Sequence, residues 1–381
     1  MKTLAIESSV LEQDRPTGVN YFTDGIVGAL EQVGTGQLEL RYFWLNFLGR
    51  KPIRNPYVRQ ASHEGRTQML RLIPQRIYAK LVYAGIAPPL PVQKSDWQLY
   101  PNFYIWPTLR RSKKAVIIHD ICFMKYPEYV EDKNRAFLDR VATRSMKRAD
   151  MIISNSQFTT SELVSHAGVP HKKIVTIDIP VNAASFLPKL NRGPERLAER
   201  YQITKPYILS LGTLEPRKNL TTLVEAYCQL PLEVRDEYSL VLAGKWGWKT
   251  DELRTLIEQK QSEGYDIITP GHIDHEDKCT FYRNASFFCL TTHYEGFGMP
   301  LLEALHCGIP TVAVDIPVLR EVGDEACLWA DKSPEDVSAK LHQLITSPEL
   351  QTHYRTRGPE QSSQFSWEKT GHKLLEEFLR R

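Results

Sequence analysis

The stretch Ser286-Phe287-Phe288-Cys289-Leu290-Thr291-Thr292-His293-Tyr294-Glu295-Gly296-Phe297-Gly298-Met299-Pro300-Leu301-Leu302-Glu303 reads as strand, glycine turn and helix in immediate succession. Ser286 to Thr292 is a compact apolar run of strand type. Pro300 suits the first position of a helix, and LLEALHC then continues as helix to Gly308, a C-terminal cap. The two glycines let the backbone approach a ligand, and the free N–H groups at the helix start face negative charge. Glu295 falls at the strand's carboxyl end and Glu303 in the second helical turn, so both reach a ligand lying across the helix start. Carboxylates beside an anion site fit a ligand that offers hydroxyls as well as phosphate, as a nucleotide sugar does. The other reading is an ordinary βα unit with solvated glutamates. The co-occurrence of glycines, proline and both acids weighs against it.

Working outward, the second half alternates in the same way. Tyr207–Leu211, Tyr238–Ala243, Asp266–Thr269 and Thr311–Val314 read as strands. Leu220–Leu230, Asp251–Glu263, Asp277–Asn284 and Pro334–Thr346 read as helices. Residues 180–205 mix Pro, Asn, Gly and charge and read as a linker with a short helix. The first half alternates too: strand TLAIES, the loop Gln13–Gly18, a helix from Val19 to about Val33, strand Ala115–Ile118, a helix around Asp132–Arg148, strand Met151–Ser154, a helix through Ser161–Ala167 and strand Ile174–Ile177. Such alternation predicts α/β architecture with two doubly wound parallel sheets, which bind ligands at their strands' carboxyl ends. The expected divisions are residues 1–182 and residues 205–364, with residues 365–381 following them.

At 381 residues the chain exceeds the size of one ordinary core, which supports two domains. With 42% hydrophobic and 24% charged residues it is neither disordered nor fibrous. No run of about 18 apolar residues is present to span a bilayer. The opening MKTLAIESSV reads as a first buried strand rather than a signal peptide. Six cysteines are scattered without CxxC spacing, which suggests reduced thiols in a cytoplasmic protein and neither a disulfide frame nor a zinc site. Net charge is only +3, yet residues 41–114 carry 14 Lys or Arg against Glu64 and Asp96, with many aromatics interleaved. That region suits an anionic membrane surface, a phosphorylated acceptor or nucleic acid. Equally, it is a solvated basic face over core aromatics. Tyr57 to Tyr83 has helical apolar spacing, broken at Pro74, without a clean basic stripe.

A second constellation is Ile208-Leu209-Ser210-Leu211-Gly212-Thr213-Leu214-Glu215-Pro216-Arg217-Lys218-Asn219-Leu220: a strand, a glycine turn, then two cations at a helix entrance. Arg217 can fork two N–H groups onto phosphate oxygens, and Lys218 acts as a point charge. A departing diphosphate needs such charge. His119-Asp120 closes a buried strand, where side chains emerge toward a ligand. Asp120 either orients His119 or caps the next turn. Gly18 precedes a helix, and Ala243-Gly244-Lys245 and Gly271-His272-Ile273 each end a strand. Asp274, Glu276 and Asp277 form an acidic cluster, but no D-x-D follows a strand, so no metal is expected.

The segment E-G-F-G-x-P-x-x-E resembles the paired-glutamate motif of the retaining glycosyltransferases of family 4, which have the GT-B fold of two Rossmann-like domains facing a central cleft. Gly212 to Asn219 resembles that family's G-x-x-x-x-R-K-N, and residues 365–381 look like its closing helix, which the resemblance implies returns to the first domain. The resemblance implies catalytic roles for His119, Glu295, Arg217 and Lys218. It implies donor contacts from Gly18, Gly212, Thr213, Gly244, Lys245, His272, Ile273, Phe297, Gly298, Met299, Leu302 and Glu303, with Glu303 on the ribose and Glu295 on the sugar. His119-Asp120-Ile121-Cys122-Phe123 to Pro127-Glu128 is similar to mannosyl-transferring members. The implied activity is metal-independent, configuration-retaining transfer of a sugar from a nucleotide diphosphate, GDP-mannose or a UDP-sugar, with no cofactor. The implied partners are that donor and a glycan, lipid-linked or small-molecule acceptor. Peripheral contact with an anionic membrane would run through region 41–114, at the inner face of the membrane, and nucleic acid is not expected. A non-catalytic scaffold, a glycan phosphorylase or an epimerase on the same fold are the competing readings. The family's N-G-V/I-D turn is replaced by Ile179-Pro180-Val181-Asn182-Ala183-Ala184.

Overall fold

Strands whose residues are apolar without interruption must be covered on both faces, and they dominate this chain. The computed structural model describes residues 1–13, 17–49 and 52–381; the middle of the loop Gln13–Gly18 lies outside them. In the first half the strands are β1 (Lys2–Glu7), β2 (Leu38–Leu45), β3 (Thr67–Leu70), β4 (Trp97–Tyr100), β5 (Lys113–Ile118), β6 (Met151–Ser154) and β7 (Ile174–Thr176). In the second they are β8 (Tyr207–Leu211), β9 (Ser239–Ala243), β10 (Ile267–Gly271), β11 (Phe287–Leu290), β12 (Thr311–Val314) and β13 (Leu328–Ala330). They form a seven-stranded sheet of order β3-β2-β1-β4-β5-β6-β7 and a six-stranded sheet of order β10-β9-β8-β11-β12-β13. The named pairs are parallel. Counted within each sheet, both orders begin 3-2-1-4-5-6, the doubly wound order whose switch point lies between the first and fourth strands.

The chain divides into two compact units: Met1–Ile179 with Ser366–Arg381, and Pro180–Phe365. In the first, the helix Gly18–Val33 buries Phe22, Ile26, Val27 and Leu30, one face at helical spacing. The helix Trp367–Arg380 lies against it, burying Leu374, Leu375 and Phe378. Trp97 Nε1 donates to the Phe378 carbonyl at 3.2 Å, and the two rings meet edge-on.

Two stretches depart from the sequence reading. Residues 180–205 are part of the second unit, because its helix Gly193–Tyr201 is tied down by charge rather than by an apolar stripe. Arg196 Nε and Arg200 Nη1 reach the fully buried Asp277 at 3.2 and 3.0 Å, and the Tyr201 hydroxyl donates to it at 2.7 Å. Asp274 pairs with Arg200 and Glu276 with Arg192. The acidic cluster is thus the seat of a helix. Residues 57–83 hold two helices, Pro56–His63 and Gln75–Ala84, with β3 between them. Pairing of Thr67–Leu70 with Tyr42–Leu45 overrides the helical spacing of Met69 and Leu70. The aromatics Tyr42, Phe43, Trp44, Tyr78, Trp97, Tyr100 and Trp106 are core residues. No helix among the described residues is long and apolar enough to cross a membrane.

Candidate functional site

In the second unit the loops following β8 and β11, the two strands flanking the switch point, carry the predicted charged residues. After β8 the chain turns through Gly212 and Thr213 into the short 3-10 turn Pro216–Lys218, and the helix Leu220–Cys228 follows. After β11 it runs through Glu295 into the helix Met299–His306. The two loops are stitched together. The His293 N–H donates to the Arg217 carbonyl at 2.8 Å, the Thr292 hydroxyl to the same oxygen at 2.9 Å, and the Thr291 hydroxyl to the Asn219 carbonyl at 2.9 Å.

This stitching sets Arg217, Lys218 and Glu295 face to face. Arg217 Nη1 donates to Glu295 Oε2 at 2.7 Å and to the Tyr294 carbonyl at 2.9 Å. Lys218 Nζ donates to Glu295 Oε1 at 2.5 Å, and Arg217 Nη2 to Glu215 Oε1 at 2.5 Å. Glu295 is only 6% exposed. Burial alone pushes its carboxyl up, but the Arg217 and Lys218 charges and their hydrogen bonds outweigh it and hold the group at about 2, down from its ordinary 4.5. Glu295 is therefore ionised throughout the physiological range. Two cations against Glu215 and Glu295 make a formally neutral set.

Glu303, also buried, sits in the helix Met299–His306 and accepts from the Tyr282 hydroxyl at 2.9 Å and from Lys278. Lys278 and Tyr282 are four apart on the helix His275–Asn284, hence on one face. Gly298, with φ +105°, caps the helix start; a Cβ there would be strained and would lie 2.6 Å from Leu319 Cδ2. In the first turn of that helix Pro300 has no N–H, and the Leu301 and Leu302 N–H groups both donate to the Gly298 carbonyl, at 3.0 and 3.2 Å, which leaves the Met299 N–H as the helix-start donor for an anion. Phe297 is buried edge-on against Phe365, and Leu302 is fully enclosed, so neither side chain has surface to offer a ligand. At the ends of β9 and β10, the Gly212 N–H donates to the Ala243 carbonyl and the Gly244 N–H to the Gly271 carbonyl, each at 2.9 Å. A Cβ on Gly244 would fall 1.7 Å from the Gly212 oxygen, so only glycine fits. Lys245 and His272 are exposed, and Ile273 is buried.

The first unit carries the remaining predicted residues. His119 follows β5, half-buried between Phe22 and Phe103, each ring centroid 5.4 Å away. Burial pushes its pKa down to about 4, against the opposing pull of the Pro101 carbonyl. The ring is neutral at pH 7, and Nε2 donates to that carbonyl at 2.9 Å, which makes Nδ1 an acceptor. Asp120 caps the next turn, accepting from the Cys122 N–H at 2.9 Å. Gly18 begins the helix Gly18–Val33, and nothing lies within 4 Å of where its Cβ would be. Glu215, Lys278 and Tyr282 were not singled out in the sequence, though Glu215 stands two residues before Arg217.

The profile of the family described as "Glycosyl transferases group 1" matches residues 195–361. O-antigen chain mannosyltransferase B of Escherichia coli is 34% identical over 270 residues, 70% of each chain. Serotype-specific mannosyltransferase WbdA of Escherichia coli is 28% identical over 278 residues, which cover 70% of this chain but only 33% of WbdA. Among solved structures, sucrose-phosphate synthase from Thermosynechococcus elongatus superposes with a TM-score of 0.70 at 19% identity, over 100% of this chain and 99% of that one. HepE of Anabaena in complex with UDP and glucose gives 0.69 at 15% identity, over 99% of each. With a relative this similar, a matching family profile and two parallel-sheet α/β domains of the GT-B kind, the chain belongs to the group 1 glycosyl transferases and is a glycosyltransferase.

Proposed function

We propose that this enzyme transfers mannose from GDP-mannose to a hydroxyl of a growing, lipid-linked glycan, with retention of configuration and without a metal ion. The observation that carries the proposal is the cluster of Arg217, Lys218 and Glu295 at the switch point of the second sheet. The names of the two Escherichia coli relatives favour mannose and a glycan chain.

A neutral set is a poor resting place for a diphosphate, so donor binding would exchange partners. The phosphate oxygens take over Arg217 and Lys218, and Glu295 turns to the sugar hydroxyls. Glu215 keeps Arg217 oriented throughout. Glu303, positioned by Lys278 and Tyr282, accepts from the ribose hydroxyls. As the bond from the anomeric carbon to the phosphate oxygen breaks, negative charge grows on the leaving group, where the two cations and the helix start offset it. The acceptor oxygen bonds to the same face of that carbon, and its proton passes to the leaving phosphate. In the first unit, His119 is neutral and offers Nδ1 as an acceptor for a hydroxyl, and Gly18 leaves open space at the start of its helix.

Release of GDP from GDP-mannose, compared with release of UDP from UDP-glucose and UDP-galactose, tests the donor. EDTA in a parallel reaction tests metal dependence, and the anomeric proton of the product tests retention. Preference for a UDP-sugar would overturn mannose from GDP. Activity abolished by EDTA and restored by Mg²⁺ would overturn metal independence. Binding with no turnover on any glycan acceptor would favour a scaffold.

A further inference from the structure

Buried polar side-chain atoms are almost always hydrogen-bonded, so an exception asks for a partner from outside the chain. Among the described residues four such atoms lack one: Ser9 Oγ, Gln98 Nε2, Asn155 Oδ1 and Asn219 Nδ2. Gln98 and Asn219 are anchored through their other amide atom, accepting from the Tyr100 hydroxyl at 2.9 Å and from the Thr222 hydroxyl at 3.0 Å. Ser9 lies against the Glu7 carboxylate, to which its N–H donates. Asn155 stands elsewhere. It is 4% exposed and directly follows β6, at the carboxyl end of the first sheet.

β5 and β6 pair with Ile118 opposite Ser154, so His119 and Asn155 leave the sheet side by side. The loops that follow are tied together, as the donor loops are in the second unit. Lys125, in the helix Cys122–Lys125 after His119, pairs with the buried Glu162 of the helix Gln157–Ser165 after Asn155. Its ammonium also lies over the Tyr126 and Phe158 rings, at 5.3 and 5.7 Å. The Ser156 hydroxyl accepts from the Thr159 N–H at 2.9 Å, and the Ser154 and Thr160 hydroxyls share a hydrogen bond at 2.5 Å, which fixes the residues on either side of Asn155. Tyr126 and Tyr129 stack with ring centroids 5.7 Å apart, and both are half-buried.

We propose that Asn155 is an acceptor-specificity residue: its carboxamide takes one hydroxyl of the acceptor sugar, on the same ring whose neighbouring hydroxyl meets His119. The chemistry selects a neutral, hydroxyl-bearing ligand. The cation joining these loops, Lys125, is already held by Glu162, so nothing here asks for phosphate. His119 Nδ1 and Asn155 Oδ1 are both acceptors, set on neighbouring strands about 5 Å apart. A pyranose carries hydroxyl donors on adjacent carbons and matches such a pair. The stacked tyrosines add an apolar surface with a polar rim, which suits the face of a further sugar. The inference rests on the glycosyl-transfer reading above and adds to it a residue that selects the acceptor.

The test uses the full chain with a synthetic α-linked mannose trisaccharide and its monodeoxy analogues. Saturation-transfer NMR reads binding of the trisaccharide without donor, and release of GDP from GDP-mannose reads transfer. Asn155→Ala should raise the KM for the trisaccharide about ten-fold, the effect of one buried hydrogen bond, and leave the KM for GDP-mannose unchanged. One deoxy analogue should cost the wild type the same factor and cost Asn155→Ala nothing further, a coupling that a merely structural role would not produce. Thermal melting checks that the variant folds, and Asn155→Ser repeats the measurement if it does not. An unchanged KM for the trisaccharide would mean that the amide holds only a trapped water, and it would overturn the assignment. Equal losses in both proteins for every deoxy analogue, or a raised KM for GDP-mannose alone, would overturn it too. Release of GDP from GDP-mannose with no trisaccharide binding sinks only the Asn155 subsite. Trisaccharide binding that Asn155→Ala weakens, with no GDP released, sinks only the proposed reaction.

Discussion

Glu295 holds two cations at once, and its replacement separates the charge of the donor from the hydroxyls of its sugar. Glu295→Gln keeps the shape but frees Arg217 and Lys218, so GDP alone should bind about ten-fold more tightly, each charge-assisted bond being worth about 1.5–3 kcal/mol. Turnover of GDP-mannose should fall roughly 100-fold, as for loss of one preorganised polar contact. Calorimetry with GDP and steady-state kinetics check this; weaker GDP binding would show that Glu295 does not compete with the diphosphate. A second buried acid behaves in the opposite sense. Burial pushes the Glu7 carboxyl from its ordinary 4.5 up to about 7, despite the Ser9 N–H at 2.8 Å. The folded state thus holds this proton more tightly than the unfolded one, so Glu7 lowers stability as pH rises from about 4.5 to 7. Glu7→Gln should raise stability at pH 8 by about 3 kcal/mol, from roughly 1.4 kcal/mol per pKa unit, and change little at pH 4.5. Denaturant melts at the two pH values decide it. Glu295, Glu303, Arg217 and Lys218 were visible in the sequence because each stands at fixed spacing from a glycine or proline. Glu215, Lys278 and Tyr282 were not, because what distinguishes them is a partner brought in by the fold.

Elements made mainly of apolar periodicity were legible: β8, β12 and the helices Asp132–Arg148 and Pro334–Thr346 stand where the pattern put them. Elements held by something else were not. β3 is four residues long and owes its state to pairing with β2. The short helix expected within residues 180–205 is present as Gly193–Tyr201, but what holds it was not legible: it buries only Leu197 and Tyr201 and is secured by its arginines on Asp277. Asp277→Ala should therefore detach that helix specifically. Removing one member of a buried charge cluster costs about 3–5 kcal/mol, and the partly exposed arginine ends here place the loss near the lower figure. Faster tryptic cleavage at Arg196 and Arg200, with GDP binding retained by the remainder of the unit, is the expected outcome. Unchanged cleavage would show that apolar packing, not Asp277, secures the helix.

At the scale of the whole chain, two sheets of the same order have been completed differently. The second unit is continuous in sequence, whereas the first takes its last helix, Trp367–Arg380, from the far end of the chain. That return was expected only from the resemblance of residues 365–381 to the family's closing helix. Its partners were not readable: Trp97, Lys2 and the helix Gly18–Val33 lie hundreds of residues away. Lys2 Nζ donates to the Leu379 carbonyl at 2.6 Å, so the first strand and the last turn are tied together. Leu374, Leu375 and Phe378 are buried, and at about 1.5–3 kcal/mol for each large apolar side chain the helix supplies a sizeable share of one domain's marginal stability. Removal of residues 366–381 should therefore act on the first unit alone. Hydrogen exchange in the truncated chain should lose protection in β1, β4 and the helix Gly18–Val33, while β8, β9 and β11 exchange as in the full chain and GDP still binds. Equal loss of protection in both units would mean that the closing helix supports the molecule as one cooperative body, and the division of the chain into two separately stabilised sheets would have to be abandoned.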